Sequence, residues 1–452
     1  MRPNAVRREM VSPALLKRLF RLEQAGTTAR TEVVAGATTF ATLSYIIFVQ
    51  PTVLAQAGMD FGAVMAATCV ASAFATALMA LGANYPIAVA PAMGHNFFFL
   101  YAVTRLGVPW PVALGADFLA GVLFMLLAAV RFREAVIDAV PDCLKAAIPV
   151  GIGLLIAFVG MQWGGIVVAN PGSLVQLGRL TAPPALLALG GFLLILVLHL
   201  RRVPGAILLG ILATTAAGAL LGLLRYQGVL GPPPSLAPTL LKLNVAGALR
   251  PEYLEIVLVF LFLAVFDTVG TLIGVGAQAG LLRDGRLPRA GRALFADAAG
   301  TTAGTLLGTS TVTAYVESAA GVAAGGRTGL ASLVTAALLL ASLFFYPLAR
   351  LMGGGVAGPD GAALHPVTAA ALLTIGSLMM PTVTRVKWAD PTEAIPAFLT
   401  IAVMPLALSI ADGLAFGFVS YALLKALAGR GREVSWLGYL LAAVFLVRFA
   451  LA

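Results

Sequence analysis

Long apolar stretches free of Asp, Glu, Lys and Arg dominate the chain, as in Val33 to Met59 and Phe61 to Thr104. A helix that crosses a bilayer needs about 20 such residues, so the second stretch holds two crossings if it breaks near Asn84 to Pro86. The apolar runs lack the period-two alternation, over about ten residues, of a membrane barrel strand. Helices are then the remaining way to satisfy a backbone in lipid. The pattern predicts helices near 33–54, 61–82, 86–104, 111–130, 144–162, 184–200, 203–224, 254–280, 293–308, 312–325, 329–349, 364–382, 395–410 and 413–428. Trp436 to Ala452, interrupted by Arg448, is short for a crossing and is left open as a last span or an interfacial helix.

Two of the predicted spans read badly as regular helix. Asn84 to Asn96 carries Pro86, Pro91 and Gly94; Gly308 to Glu317 is rich in Thr and Ser, with Gly321, Gly325 and Gly326 behind it. Spans three and ten are therefore expected to be interrupted by short extended segments. Interruptions at corresponding positions of two halves point to a binding site near the membrane midplane, because free backbone groups then face a cavity. Two carboxylates stand out beside them, Asp267 after the apolar run Ile256 to Phe266 and Glu317 between two uncharged stretches. A charge at that depth costs a few kcal/mol, so it normally faces a protein interior and serves function.

Composition agrees, with 60% hydrophobic and 11% charged residues and a mean hydropathy of +0.97. This is an all-α polytopic membrane protein. The net charge of +10 does not indicate nucleic acid, because Arg2, Arg7, Arg8, Lys17, Arg18, Arg21 and Arg30 precede the first span and later basic residues cluster in alternate loops. That distribution places the N-terminus and residues 1–30 in the cytoplasm. No removable signal peptide is evident, so the first span is expected to direct its own insertion into the plasma (inner) membrane. Cys69 and Cys143 fall in or beside helices and are read as packing residues, and no metal site is expected. No phosphate loop or hydrolase motif occurs, which argues against ATP-driven transport and against an enzyme.

The Pro-rich loop Gln227 to Pro238 follows seven predicted spans, and Phe40, Thr42 and Tyr45 are loosely echoed by Phe266, Thr268 and Thr271. Seven spans per half would force the halves into opposite orientations.

Thr38 to Pro51, Ala90 to Asn96, Phe266 to Gly274, Gly308 to Ser318 and Ala411 to Gly417 together resemble the AzgA-like adenine/guanine/hypoxanthine permeases of the nucleobase:cation symporter 2 (nucleobase/ascorbate transporter) superfamily. The resemblance runs from about residue 20 to the C-terminus. It implies 14 transmembrane helices in a 7+7 inverted repeat, with a first repeat at 31–245 and a second at 246–452. It also implies a core domain of spans 1–4 and 8–11 (about 31–131 and 252–350) and a gate domain of spans 5–7 and 12–14 (about 142–245 and 362–452). Residue by residue it implies purine contacts at Asp267, Glu317 and Asn96. Gln50 departs from an asparagine expected before Pro51, and His95 and Phe97 are bulkier than usual beside Asn96.

The chemistry reaches the same point independently. Carboxylates accept from the N–H groups of a purine edge, and an amide serves donors and acceptors alike. Thr271, Ser318, His95, Phe97 and Thr311 are candidates for a supporting shell or for proton coupling. Phe97, Phe98 or Tyr315 would suit a ring face, with none singled out. No Lys or Arg occurs in 86–104, 256–282 or 298–326, which disfavours an anionic substrate. The expected activity is proton symport of purine nucleobases by alternating access, without a cofactor. Na⁺ stays open as the coupling ion, and a homodimer stays open too. A uracil or xanthine permease is the alternative, and an ion channel a more distant one. Asp117 and Asp297 read as structural partners and Asp390 and Glu393 as capping residues; Asp412 is placed at a helix break. His199 and His365 are expected to snorkel at span ends.

Overall fold

The long apolar runs become helix, and the two segments singled out by their Pro, Gly and hydroxyl residues break into short strands at Val89–Pro91 and Val312–Ala314, whereas Pro51, Pro149, Pro396 and Pro405 lie inside helices. The computed structural model describes residues 13–129, 140–282, 287–358 and 363–451. Arg2, Arg7 and Arg8 of the basic N-terminus, and the predicted domain limits at 131, 362 and 452, lie outside the described residues. In chain order the elements are α1 (Pro13–Phe20), α2 (Ala29–Leu43), α3 (Ile46–Gln56), α4 (Phe61–Leu78), β1 (Val89–Pro91), α5 (Met93–Thr104), α6 (Trp110–Ala129) and α7 (Asp142–Trp163). A hairpin β2 (Val167–Asn170) and β3 (Leu174–Leu177), then α8 (Pro183–Leu200), α9 (Ala206–Leu220) and the short α10 (Val245–Ala248), complete the first half. The second half holds α11 (Leu254–Gln278), α12 (Ala290–Leu307), β4 (Val312–Ala314), α13 (Ser318–Ala323), α14 (Gly329–Ala341), α15 (Tyr346–Gly353), β5 (Val356–Ala357), β6 (Ala363–Leu364), α16 (Pro366–Leu378), α17 (Pro391–Ala407), α18 (Ile410–Leu427) and α19 (Trp436–Leu451).

Among the described residues nine helical stretches are long and apolar enough to cross a membrane, and Ala206–Leu220, Pro391–Ala407 and Trp436–Val447 are shorter apolar helices. The predicted first span is two helices, α2 and α3, which turn at Ser44 and Tyr45. The predicted span 329–349 is likewise divided, with a 3₁₀ turn at Ser342–Phe345 between α14 and α15. The segment after Trp436 is a helix of its own, packed on α18 through Phe416–Phe449 and Phe418–Phe445 ring pairs at 5.5 and 6.2 Å.

The two interruptions find each other. β1 and β4 pair antiparallel, with Val89 opposite Ala314, Ala90 opposite Thr313 and Pro91 opposite Val312. Flanking bonds from Ala92 N–H to Thr311 O (3.0 Å) and Tyr315 N–H to Ala88 O (2.9 Å) extend the ladder. Backbone groups that leave a helix inside lipid must be satisfied by protein, and each strand does this for the other. Outward-facing groups are held by threonines in a repeated device. Thr76 Oγ1 donates to Val89 O (3.0 Å) and accepts from Val89 N–H (2.9 Å), and Thr301 Oγ1 does the same with Val312 (2.8 and 3.2 Å).

Helix ends are closed across long sequence distances. Glu32, buried on α2, accepts from the backbone N–H groups of Arg327 (2.9 Å), Thr328 (3.2 Å) and Ala331 (3.3 Å) at the start of α14. A carboxylate is well placed at that positive helix terminus. α12 stops at Gly308, whose φ is +103° and whose missing side chain leaves room for Thr239; a Cβ there would lie 2.2 Å from that residue's Cβ. Only glycine meets both conditions cheaply.

Candidate functional site

The segment from Thr309 to Glu317 is the centre on which the polar side chains of the interior converge. Thr309 Oγ1 meets Gln50 Nε2 (2.9 Å) and Thr68 Oγ1 (3.2 Å). Ser310 Oγ donates to Asn96 Oδ1 (2.5 Å) and accepts from Gln50 Nε2 (3.0 Å). The Thr311 hydroxyl donates to Asp117 Oδ1, and Thr313 Oγ1 donates to Asp267 Oδ2 (3.2 Å). Successive residues thus point to α3, α4, α5, α6 and α11, which an extended backbone permits because its side chains alternate.

Asp267 and Glu317 are linked through one segment, since Thr313, which bonds Asp267, lies shortly before Glu317 in the chain. Glu317 is half-buried at the entry to α13, and its Oε1 accepts from Tyr45 Oη at 2.6 Å. Thr42 Oγ1 reaches the Glu317 carbonyl at 3.3 Å. The Tyr45 ring lies 6.4 Å from that of Tyr315, whose hydroxyl donates to Pro91 O at 2.5 Å. Among the described residues neither acid belongs to an ion pair; the salt bridges run between other residues. Each receives one neutral side-chain donor. The remaining acceptor capacity suits a ligand rich in N–H groups.

Asn96 joins this centre through Ser310 and makes no direct bond to either acid. Its Nδ2 has only Met93 Sδ, at 3.8 Å. The other predicted residues divide. Thr311 is tied to Asp117, and Ser318 Oγ accepts from Ala88 N–H (3.0 Å), so both brace the strands. Thr271 is half-buried on α11, one turn beyond Asp267. Phe97 faces Trp163, with ring centroids 6.4 Å apart. His95 is buried against Phe260 at 6.4 Å, and among the described residues neither ring nitrogen has a hydrogen-bond partner of normal geometry. His365 does not snorkel; it is 7% exposed, its Nδ1 lies 3.0 Å from Gly353 O and its ring 5.2 Å from Trp163. His199 is exposed at its helix end.

Sequence reasoning passed over Tyr45 as a site residue, treated Gln50 only as a departure and did not connect Asp297 to the centre. Asp297 accepts from Thr268 Oγ1 (2.6 Å) and Ala314 N–H (2.6 Å), fixing the neighbours of Asp267 and Thr313 to one another. Asp390 caps α17 through Thr392 N–H (3.0 Å), as its loop position predicted.

Burial changes along one face of α11. Along α11 the residues Ile256, Phe260, Leu263 and Asp267 lie on one face, continued by Gly270, Gly274 and Gln278. The first three are buried, with Phe260 packed edge-on against Phe98 at 4.8 Å. From Asp267 onward the face is exposed, and among the described residues no atom apart from the adjacent backbone of α11 itself lies within 4 Å of where a side chain would start at Gly270 or Gly274.

Comparison with known proteins adds the following. The profile of the Permease family, Xan_ur_permease, matches residues 30–416. Adenine permease AdeP of Escherichia coli (strain K12) is 41% identical over 436 residues, covering 96% of this chain and 96% of the relative. Guanine/hypoxanthine permease PbuO of Bacillus subtilis (strain 168) is 42% identical over 437 residues, covering 95% and 99%. Among solved structures, the transmembrane domain of the cyanobacterial bicarbonate transporter BicA superposes with a TM-score of 0.62 at 16% identity, over 84% of this chain and 96% of that one. At that identity the likeness concerns the fold alone.

Proposed function

The chain belongs to the Permease family (Xan_ur_permease), a multi-pass membrane protein among relatives that are adenine and guanine/hypoxanthine permeases, and from that membership we propose that it imports purine nucleobases by proton symport. The observation that carries the proposal is the pair Asp267 and Glu317, each held by one neutral hydroxyl and neither matched by a cation among the described residues. Their free lone pairs take the N–H groups of a neutral purine, and the Asn96 amide serves the opposite edge. In this reading the purine binds both carboxylates at once, which favours the state in which one of them carries a proton. This couples substrate to H⁺, and an inward proton gains about 2.3 kcal/mol per 100 mV of membrane potential.

Alternating access is supported by the change in burial along one face of α11. With the N-terminus in the cytoplasm of a plasma-membrane protein and seven crossings before it, α11 runs inward, and the exposed face from Asp267 to Gln278 leads to the cytoplasmic side. A 7+7 inverted repeat is supported by the two Thr–backbone devices at Val89 and Val312 and by the antiparallel pairing of β1 with β4. In this reading spans 1–4 and 8–11 form the core that carries the centre, and spans 5–7 and 12–14 form the gate.

The test is uptake of labelled hypoxanthine and adenine in proteoliposomes, with a competitor panel that includes uracil and xanthine. Asp267→Asn, Glu317→Gln and Asn96→Ala are each expected to reduce uptake at least tenfold, and collapse of the pH gradient and potential should abolish accumulation. Full activity in all three variants, or accumulation indifferent to both gradients, would refute the reading.

A further inference from the structure

We propose that Gln50, Ser310 and Asn96 form a hydrogen-bond relay of reversible polarity, through which the site presents either a donor or an acceptor to the purine and so takes both 6-amino and 6-oxo rings. The inference rests on the purine-binding reading of Asn96. Gln50, Ser310, Asn96, Thr309 and Thr68 are all fully buried, so no solvent fixes the direction of their hydrogen bonds. In the direction seen, Gln50 Nε2 donates to Thr309 Oγ1 (2.9 Å) and Ser310 Oγ (3.0 Å), Ser310 donates to Asn96 Oδ1 (2.5 Å), and the Asn96 amide nitrogen is left with a thioether at 3.8 Å. A thioether is a weak acceptor on a flexible stem, which a ligand atom readily replaces.

The reverse direction is equally consistent. A half-turn of a primary amide exchanges its oxygen and nitrogen without changing its shape, and a hydroxyl donates or accepts by rotating its proton. After both half-turns Asn96 donates to Ser310, Ser310 and Thr309 donate to Gln50, and Asn96 presents its carbonyl outward. The three bonds along the relay are kept, and the weak contact of the Asn96 amide nitrogen with Met93 Sδ is given up. Among the described residues the direction seen leaves Gln50 Oε1 buried without a partner, and the reverse leaves the Gln50 amide nitrogen in that place, so each direction leaves one end of that amide unpaired. The ligand then decides. A 6-aminopurine has an acceptor at N1 and a donor at the six-position, and a 6-oxopurine has the opposite pattern. Gln50 is thus a positioning residue that acts through Ser310 on the atom Asn96 shows to the substrate.

Gln50→Leu pins the relay. With the amide gone, the buried Ser310 proton has Asn96 Oδ1 as its remaining acceptor, and Asn96 shows only its N–H. Dissociation constants for adenine and hypoxanthine are measured on the purified full chain in detergent, alongside its melting temperature. The expected result is a change of at least tenfold in the adenine-to-hypoxanthine ratio for Gln50→Leu, reproduced by Gln50→Met. In a Ser310→Ala background the same Gln50 substitutions should move the ratio less than twofold, because the link is cut. A ratio unmoved by either Gln50 substitution overturns the relay, as does a shift that persists in full without Ser310. Wild-type protein that binds neither purine would instead remove the parent reading.

Discussion

Tyr45 shows how much a single neutral donor carries at this depth. Among the described residues its hydroxyl, 2.6 Å from Glu317 Oε1, makes the one side-chain bond that orients that carboxylate. Hydrogen bonds to charged groups are worth about 1.5–3 kcal/mol, so Tyr45→Phe is expected to lower kcat/KM for purine uptake about tenfold or more, while folding is changed little. Unaltered uptake would show that Glu317 is held some other way. The acids themselves were legible from sequence, because one charge in a long apolar run has few bland explanations. Tyr45 and Gln50 were not, because an aromatic or an amide in a membrane helix is commonly packing. What gives them meaning is a partner more than 250 positions away, and spacing along one helix carries no trace of it.

Interruption, at the scale of elements, was written plainly in Pro86, Pro91, Gly94 and the hydroxyl-rich run after Gly308. What each broken segment does with its freed backbone was not, since pairing and register are settled between distant segments. Thr301 is the sharpest test of that solution. Thr301→Val keeps the shape but strips both bonds from Val312, leaving a buried N–H and C=O without their partner. The expected loss is about 1–3 kcal/mol, read as a lower melting temperature in detergent, with a similar loss for Thr76→Val. Gly308→Ala should cost about 2 kcal/mol or more, from the left-handed backbone and the collision with Thr239 together. A melting temperature unchanged in all three would mean that neither the threonine bonds nor the turn at Gly308 holds the strand pair in place.

At the scale of the molecule, among the described residues, the interior is neutral or acidic and Lys and Arg are peripheral, with one ordered exception near the end of α18. Lys425 is fully buried, with Glu433 at 2.7 Å and Glu393 at 3.4 Å, while Arg430 holds Asp390 and Glu433 at 2.7 Å each. Hydrogen bonds from Arg430, then Lys425, pull the Glu433 carboxyl from 4.5 down to about 2, and Arg430 with Thr392 holds Asp390 below its usual range. Because these values are depressed by folding, the stabilisation is complete above the ordinary carboxylate range and fades as pH falls toward 2. The melting temperature should therefore drop between about pH 5 and pH 2, and Glu433→Gln should flatten that slope; an identical slope in the variant would exclude the cluster as its source. The open face of α11 gives a second test at this scale. Gly274→Cys, in a background without Cys69 and Cys143, should react with a membrane-impermeant maleimide from the cytoplasmic side, more slowly when hypoxanthine is present. Labelling only from the outside would reverse the orientation assigned above.

The pairing of β1 with β4 has a consequence for how the protein is made. β1 enters the membrane long before β4 exists, and until the partner arrives its backbone groups have no strand to bond. The first half on its own is an unfinished object, with a polar seam that lipid cannot close and of which its own Thr76 holds the Val89 groups alone. Synthesis must therefore hold that seam sheltered, and a chain truncated after Pro238 should be recognised as incomplete and degraded. The same dependence means that two separately translated halves, divided in the loop Gln227 to Pro238, carry within their broken spans the information needed to find each other.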